Sequence, residues 1–238
     1  MARDDRTEDA RPNRILAAVE GKDREGLLAE TTVVTLELKR VLLQPGKAID
    51  TVYFPEGAVV SLLTTMEDGG AVEVATVGNE GIVGVPVFLG GDAMSARDLY
   101  QVQVPGQART MDTKAFVKAS RQEPLRGLVQ RYAQALFTQV SQQVACNALH
   151  SVTARCSRWM LLTADRVSQN EFPLTQEFLA QMLGVRRASV TEAAGTLQDA
   201  GFIRYARGRV TIVDREGLEN AACECYRIIR TEFDRLLP

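Results

Sequence analysis

Two pairs of arginines and a small set of thiols are the residues of this chain best suited to chemistry. In "LGVRRASV", residues 183–190, Arg186 and Arg187 follow Gly184 and Val185 directly, with Ser189 and Thr191 within the next turn. In "YARGRV" Arg207 and Arg209 flank Gly208. A guanidinium is permanently charged and offers a planar fork of donors, so arginines grouped on one face suit phosphate and base-edge hydrogen bonding. Cys146 and His150 lie four apart, share a face if helical, and with Cys156 could begin a metal site. Cys223 and Cys225 would sit about 200° apart on a helix, so joint ligation of one ion requires unwinding there. Buried structural thiols are the simpler reading of all four cysteines.

Other chemistries lack their residues. A metal-dependent barrel enzyme needs several histidines, and the 238 residues hold one. No phosphate loop of the Walker type, nucleophile elbow or HExxH spacing occurs, so a non-enzyme is expected. The formal net charge of -2 excludes a globally basic nucleic-acid binder and leaves only a local surface. From Leu174 to Asp214 five arginines face four acids, so placement and not net charge must carry the argument. The polar opening "MARDDRTEDARPNR" has no apolar leader, no later run approaches a membrane span, and the chain reads as cytoplasmic.

The elements that position these groups fall into three materials. "NRILAAVEGKDREGLLAE" has helical spacing and predicts one or two short helices. From Thr32 to about Met111 short β-rich runs ("VVTLEL", "VYF", "AVVSLLTTM", "AVEVATV", "LYQVQV") alternate with the turn signals "QPGK", "PEG", "EDGG" and "VPGQ", which predicts an antiparallel roll. Pro124 then opens a helix running to near His150, roughly 40 Å at about 1.5 Å per residue. Its apolar stripe includes Val129, Tyr132, Leu136, Val140 and Val144, expected to face a second copy. The alternative is that the stripe lies wholly on its own β domain.

"LTQEFLAQMLGVRRASVTEAAGTLQDAGFI" reads as two helices sharing one turn. Thr175 is the N-cap, Ala180 the small crossing residue, Gly184 the turn, and Leu179, Leu183, Val185 and Val190 the locks. "FIRYARGRVTIVD" follows as a strand pair closing on a tight turn, a wing. In a winged helix-turn-helix the second helix enters the major groove and the wing touches phosphates. Thr175, Gln176, Arg186, Arg187, Ser189, Thr191, Arg207 and Arg209 are therefore the expected DNA contacts, Arg187 to a base and Arg186 to phosphate. A protein interaction module without DNA binding is the competing class.

From about Asn13 to Asp214 the chain resembles the Crp/Fnr superfamily of bacterial transcription regulators. "LLQPGKAIDTVYFPEGAVVSLL" is similar to the start of that family's cyclic-nucleotide-binding-like roll, and residues 174–214 are similar to its DNA-binding segment throughout. The resemblance implies an α+β fold: an N-terminal antiparallel β-roll, a long dimerisation helix and a C-terminal winged helix-turn-helix. It places Arg187 where the cyclic AMP receptor protein has a base-reading arginine, and Ala188 and Glu192 where that protein has a glutamate and a second arginine. A DNA reader with a different preferred sequence is implied.

The sensor region departs from the family pattern. In "GNEGIVGVPVFLGGDAMSARDLYQV" Gly84 remains, but Val85 and Pro86 follow it. Met94, Ser95 and Ala96 stand where the phosphate-neutralising arginine is expected. An anionic phosphate buried without a cation is costly, so cyclic AMP is not expected and the effector is left unknown. Gly84, Val85, Met94, Ser95, Arg97 and Tyr132 are the candidate effector pocket, with Arg97 able to reach in from a shifted register. Gly78, Gly81 and Gly84 read as turns of the roll. The family's oxygen-sensing branch uses N-terminal cysteines, which this chain lacks before Cys146. A redox- or metal-responsive regulator using Cys146 and Cys156 is an alternative.

The expected organisation is a disordered arm at 1–12, a β-roll sensor at 13–122, a dimerisation helix at 123–152 and a winged-helix domain with an added C-terminal helix at 153–238. The expected partners are a second copy, a palindromic double-stranded DNA operator and RNA polymerase, with no membrane.

Overall fold

The computed structural model describes residues 11–238, so the arm expected at 1–12 lies outside the described residues except for Arg11 and Pro12. The chain opens with α1 (Arg14–Ala17) and α2 (Gly21–Ala29), followed by β1 (Thr31–Leu36), β2 (Val41–Leu43), β3 (Thr51–Pro55), β4 (Val59–Thr65) and β5 (Ala71–Val77). A single-turn α3 (Val85–Phe88) precedes β6 (Asp98–Val104), β7 (Gly106–Asp112) and α4 (Thr113–Ala119). The helices α5 (Leu125–Leu149) and α6 (Val152–Val167) lead to β8 (Glu171–Pro173), α7 (Gln176–Leu183), α8 (Arg187–Asp199), β9 (Ile203–Ala206) and β10 (Arg209–Ile212). Two helices, α9 (Arg215–Ala221) and α10 (Cys225–Leu236), end the chain. None of these helices is long and apolar enough to cross a membrane.

The roll is two antiparallel sheets, β1-β7-β3 and β2-β6-β4-β5. Leu63, Val77 and Tyr100 from one, and Val52, Phe54 and Met111 from the other, enter a common core. The "VPGQ" signal is no hairpin: the chain passes from β6 in one sheet to β7 in the other across Pro105. Gly106 is required at this crossing, because a Cβ there would lie 2.5 Å from the Ala58 backbone nitrogen. β7 itself, "GQARTMD", carries no apolar alternation to announce it, although it is the central strand of its sheet.

β5 is an edge strand, and the way its edge is covered defines how the molecule is assembled. Exposed ladder groups on an edge invite foreign pairing unless something occupies them. Here the buried face of α5 supplies amides: Gln139 Nε2 donates to the Thr76 carbonyl (3.2 Å) and Gln143 Nε2 to the Glu73 carbonyl (3.1 Å). Gly78 and Gly81, in the turn leaving β5, permit close approach. A Cβ would lie 2.6 Å from Arg166 Cγ at the first and 2.4 Å from the Tyr132 ring at the second.

The stripe expected to face a second copy is divided. Val129 and Tyr132 are buried within the protomer, so their assignment to a dimer interface is corrected. Tyr132 donates its hydroxyl proton to the Ile82 carbonyl (3.2 Å), and its ring lies 6.3 Å from that of Phe233 on α10. Leu136 and Val140 are half-buried, and Val144 is 67% exposed. The outward face instead continues through Phe137, 73% exposed, and Leu149, 77% exposed. A helix this long has an inner and an outer stripe, and only contacts distinguish them. α10, whose placement the sequence leaves open, lies along α5 and also touches α6; Arg131 Nε donates to its Leu236 carbonyl (2.9 Å).

Candidate nucleic-acid interface

The helix pair α7–α8 is built from local signals. Thr175 caps α7 by accepting from the Phe178 N–H (3.1 Å), and Gly184 ends it at φ 62°, a conformation that costs glycine nothing. Leu179, Leu183 and Val190 are buried where the two helices meet, with Val185 partly so. Thr191 on α8 donates to Gln176 Oε1 on α7 (2.8 Å), fixing the first turns of both helices against each other.

At the entrance to α8, Arg186 occupies the N-cap without a side-chain capping bond and Arg187 is the first helical residue. Both are exposed, and Ser189 is half-buried beside them. Neither arginine has an ion-pair partner among the described residues. Two cations at a helix N-terminus oppose the macrodipole, and no acidic side chain in the first turn compensates. An anion docked there relieves both problems, since it meets free backbone N–H groups as well as the guanidinium groups.

The wing is the hairpin β9–β10, with Ala206 paired to Arg209 across a two-residue turn. Arg207 at φ 50° and Gly208 at φ 73° give the two positive angles that a type I′ turn requires. β8 adds a third strand beyond β10, one that the sequence reading lacks. Arg207 projects freely, whereas Arg209 Nε donates to Glu171 Oε1 on β8 (2.7 Å). That bond holds the Glu171 carboxyl below its usual range. The pair is half exposed, so a phosphate can compete for Arg209 at modest cost.

The six residues expected to form an effector pocket differ in burial and partners. Gly84 caps α3 at φ 116°, Val85 and Met94 are buried in the roll, and Tyr132 is enclosed with its hydroxyl satisfied. Ser95 and Arg97 are exposed, and Arg97 Nη2 donates to Glu67 Oε1 (2.8 Å). A groove of about 520 Å³ lies elsewhere, lined by Arg14, Glu80, Arg166 and Asp234 among others.

The thiols are also rearranged relative to expectation. α9 stops at Ala221 and α10 begins at Cys225, so Cys223 sits in a break and the 200° separation does not apply. Cys146, His150, Cys223 and Cys225 place one ligand atom each within 4.8 Å of all the others. Cys156 is not among them; it is buried separately and its thiol is pushed up to about 12 by that burial. The hydrogen bond with Cys223 (3.5 Å) holds Cys146 below the usual thiol range, helped by the charge of Arg158, and raises Cys223 in return. The sequence signal was present as C-x-C, but its meaning depended on where the helix breaks.

Comparison with known proteins agrees with this geometry. Residues 154–221 match the family model of the Crp-like helix-turn-helix domain. They are a Crp-like helix-turn-helix domain. Solved structures extend the likeness to the whole fold. A CRP-family transcriptional regulator from Thermus thermophilus is 20% identical over 79% of this chain and 96% of its own, with a TM-score of 0.67. FixK2 from Bradyrhizobium japonicum is 14% identical over 81% and 98%, at 0.65. The c-di-GMP-responsive global regulator CLP of Xanthomonas campestris is 13% identical over 81% and 99%, at 0.62. No curated protein matches in sequence. The chain thus has the α+β fold of Crp/Fnr regulators: a β-roll, a long helix and a C-terminal helix-turn-helix.

Proposed function

We propose that this chain is a sequence-specific, DNA-binding transcription regulator of the Crp/Fnr family that acts as a homodimer and performs no catalysis. The observation that carries the reading is the entrance of α8: two exposed arginines, without an ion-pair partner among the described residues, at a helix start with no side-chain cap, together with a wing whose turn presents a third. Arg187 reads a base edge, while Arg186, Arg207 and Arg209 meet phosphates. Thr175, Gln176, Ser189 and Thr191 complete the contact surface around the first turns of α7 and α8. Ala188 and Glu192 replace the family's further base-reading pair, so the operator differs from that of the cyclic AMP receptor protein.

Dimerisation uses the outer stripe of α5, through Phe137, Val140 and Val144, with Leu136 at its margin. Burying the exposed aromatic and aliphatic groups of this stripe is favourable by about 25 cal/mol per Å². The two-fold axis places two α8 helices in successive major grooves, roughly 34 Å apart, on a palindromic site. The roll, 13–122, is the effector domain, 123–152 the dimerisation segment, and 153–238 the DNA-binding domain. The cytoplasm is the proposed compartment and RNA polymerase a proposed partner. Cyclic AMP is not the proposed effector: the side chains of Val85 and Met94 are apolar and buried, and Arg97 is paired with Glu67.

The test is selection of bound sequences from random DNA with the purified protein, repeated with cyclic nucleotides added. A palindromic consensus that Arg186→Ala with Arg187→Ala abolishes is expected. Unchanged retention of that double variant on DNA at moderate salt would refute the reading.

A further inference from the structure

We propose that Cys146, His150, Cys223 and Cys225 form a tetrahedral Cys₃His site for a zinc-class divalent cation, stapling the C-terminal helix to the hinge between dimer helix and DNA-binding domain. The four residues come from two places far apart in sequence. Cys146 and His150 are at the last turn and cap of α5, directly before Ser151 caps α6. Cys223 and Cys225 flank the break between α9 and α10. All four lie outside residues 154–221, so the helix-turn-helix match does not account for them.

The distances fit a single ion. A tetrahedral centre with sulfur at about 2.3 Å and nitrogen at about 2.0 Å holds its ligand atoms roughly 3.5–3.8 Å apart. Cys146 Sγ and Cys223 Sγ are 3.5 Å apart, and Cys225 Sγ and His150 Nδ1 are 3.7 Å apart. An iron–sulfur cluster puts irons and sulfides between its ligands and spreads them further than the 4.8 Å limit found here.

Two features outside the ligand set point the same way. His150 Nε2 lies 3.2 Å from Glu224 Oε2, so its proton is donated to a carboxylate and the Nδ1 lone pair faces the thiols. A carboxylate that fixes the tautomer in this manner is the usual support of a metal-bound histidine. Arg158 is the second feature. It is buried, its Nε and Nη2 have no hydrogen-bond partner, and its charge acts on Cys146, Cys223 and Cys225 alike. Three thiolates, a neutral imidazole and a divalent ion carry one negative charge, which Arg158 balances. On binding, the thiols that still hold protons release them to solvent and no electron is transferred.

The full-length protein, reduced and freed of metal, is titrated with cobalt(II), and the metal content of the untreated protein is measured by mass spectrometry. One equivalent per chain is expected, with thiolate-to-cobalt charge transfer and the intense visible bands of tetrahedral cobalt. Cys223→Ser and Cys225→Ser should lose the bands, and Cys156→Ser should keep them. Glu224→Gln, which leaves every ligand in place, should weaken cobalt affinity about tenfold or more. Circular dichroism and gel filtration verify that each variant is folded. Folded, reduced protein that takes up no cobalt would overturn the proposal, as would an octahedral spectrum or equal loss in Cys156→Ser. Cobalt-free protein in which oxidant joins Cys146 to Cys223 would overturn it in favour of a thiol redox pair.

Discussion

Glu73 offers the most quantitative test of how the roll and the DNA-binding domain are joined. It is buried on β5, accepts from Trp159 Nε1 on α6 (2.9 Å), and lies 2.6 Å from Ser61 Oγ on β4. Ser61 Oγ is also 2.9 Å from Gln103 Oε1, whose amide nitrogen donates to Thr163 Oγ1 on α6 (2.9 Å). Ser61 has one proton for two acceptors. If Glu73 is ionised, Ser61 must donate to it, and two lone pairs confront each other at Gln103. If Glu73 is protonated, it donates to Ser61, Ser61 donates to Gln103, and the chain of bonds is complete. Burial works in the same direction and raises the Glu73 carboxyl from 4.5 to about 7, opposed by the bond to Ser61 and the charge of Arg158.

The sign of the pH effect follows from which state holds the proton. A carboxyl whose folded value is raised retains its proton in the native state after the unfolded chain has released it, so stability falls as pH rises between the two values. The contribution is intact below about 4.5 and fully lost above about 7, and at 1.36 kcal/mol per unit the loss is about 3 kcal/mol. Glu73→Gln keeps the neutral pattern, with Oε1 accepting from Trp159 and Nε2 donating to Ser61. Urea denaturation of both proteins between pH 4.5 and pH 8 should show near-equal stability at the acid end. At pH 8 the variant should be more stable by up to about 3 kcal/mol. A difference that does not change with pH, or a variant less stable at pH 8, would refute the reasoning.

Other outcomes follow from single contacts. Arg187→Ala should cost about 1–3 kcal/mol on the preferred operator and relax base preference at one position. Arg207→Ala should weaken all sequences alike and reduce the salt slope by about one, both read by fluorescence anisotropy. Phe137→Asp, on the exposed stripe of α5, should yield a folded monomer in sedimentation, whereas a persisting dimer would move the interface elsewhere. Gly81→Ala places a methyl 2.4 Å from the Tyr132 ring and should destabilise by about 1–3 kcal/mol in the same urea assay.

What the sequence disclosed was what is locally encoded. Thr175, Gly184 and the Arg207–Gly208 turn each act within a few residues, so the helix pair and the hairpin could be read directly. The strands with apolar alternation could be read for the same reason. β7 escaped because only Ala108 and Met111 of its seven residues are buried. The inner face of α5 escaped because Gln139 and Gln143, which look solvent-facing, are spent on the edge of β5. The thiol cluster joins residues 77 positions apart, and reading it required knowing that the helix breaks before Cys225.

β5 is where these pieces converge. Its carbonyls are held by Gln139 and Gln143 of α5 and by Arg166 Nη2 of α6 (3.3 Å to Thr76). Its side chain Glu73 is held by Trp159, and Val72 Cγ2 would be 3.1 Å from a Cβ on Gly184, the turn of the helix-turn-helix itself. In the turn after β5, Glu80 pairs with Arg166 Nε inside the protein (2.8 Å). The roll therefore touches α5, α6 and the turn between α7 and α8 through one strand and its exit loop. A shift of β5 along its length would break its hydrogen bonds from Gln139, Gln143 and Arg166 and disturb the packing of Val72 against Gly184. The roll and the helix-turn-helix are thus joined largely through polar contacts that a hydrophobic pattern does not reveal.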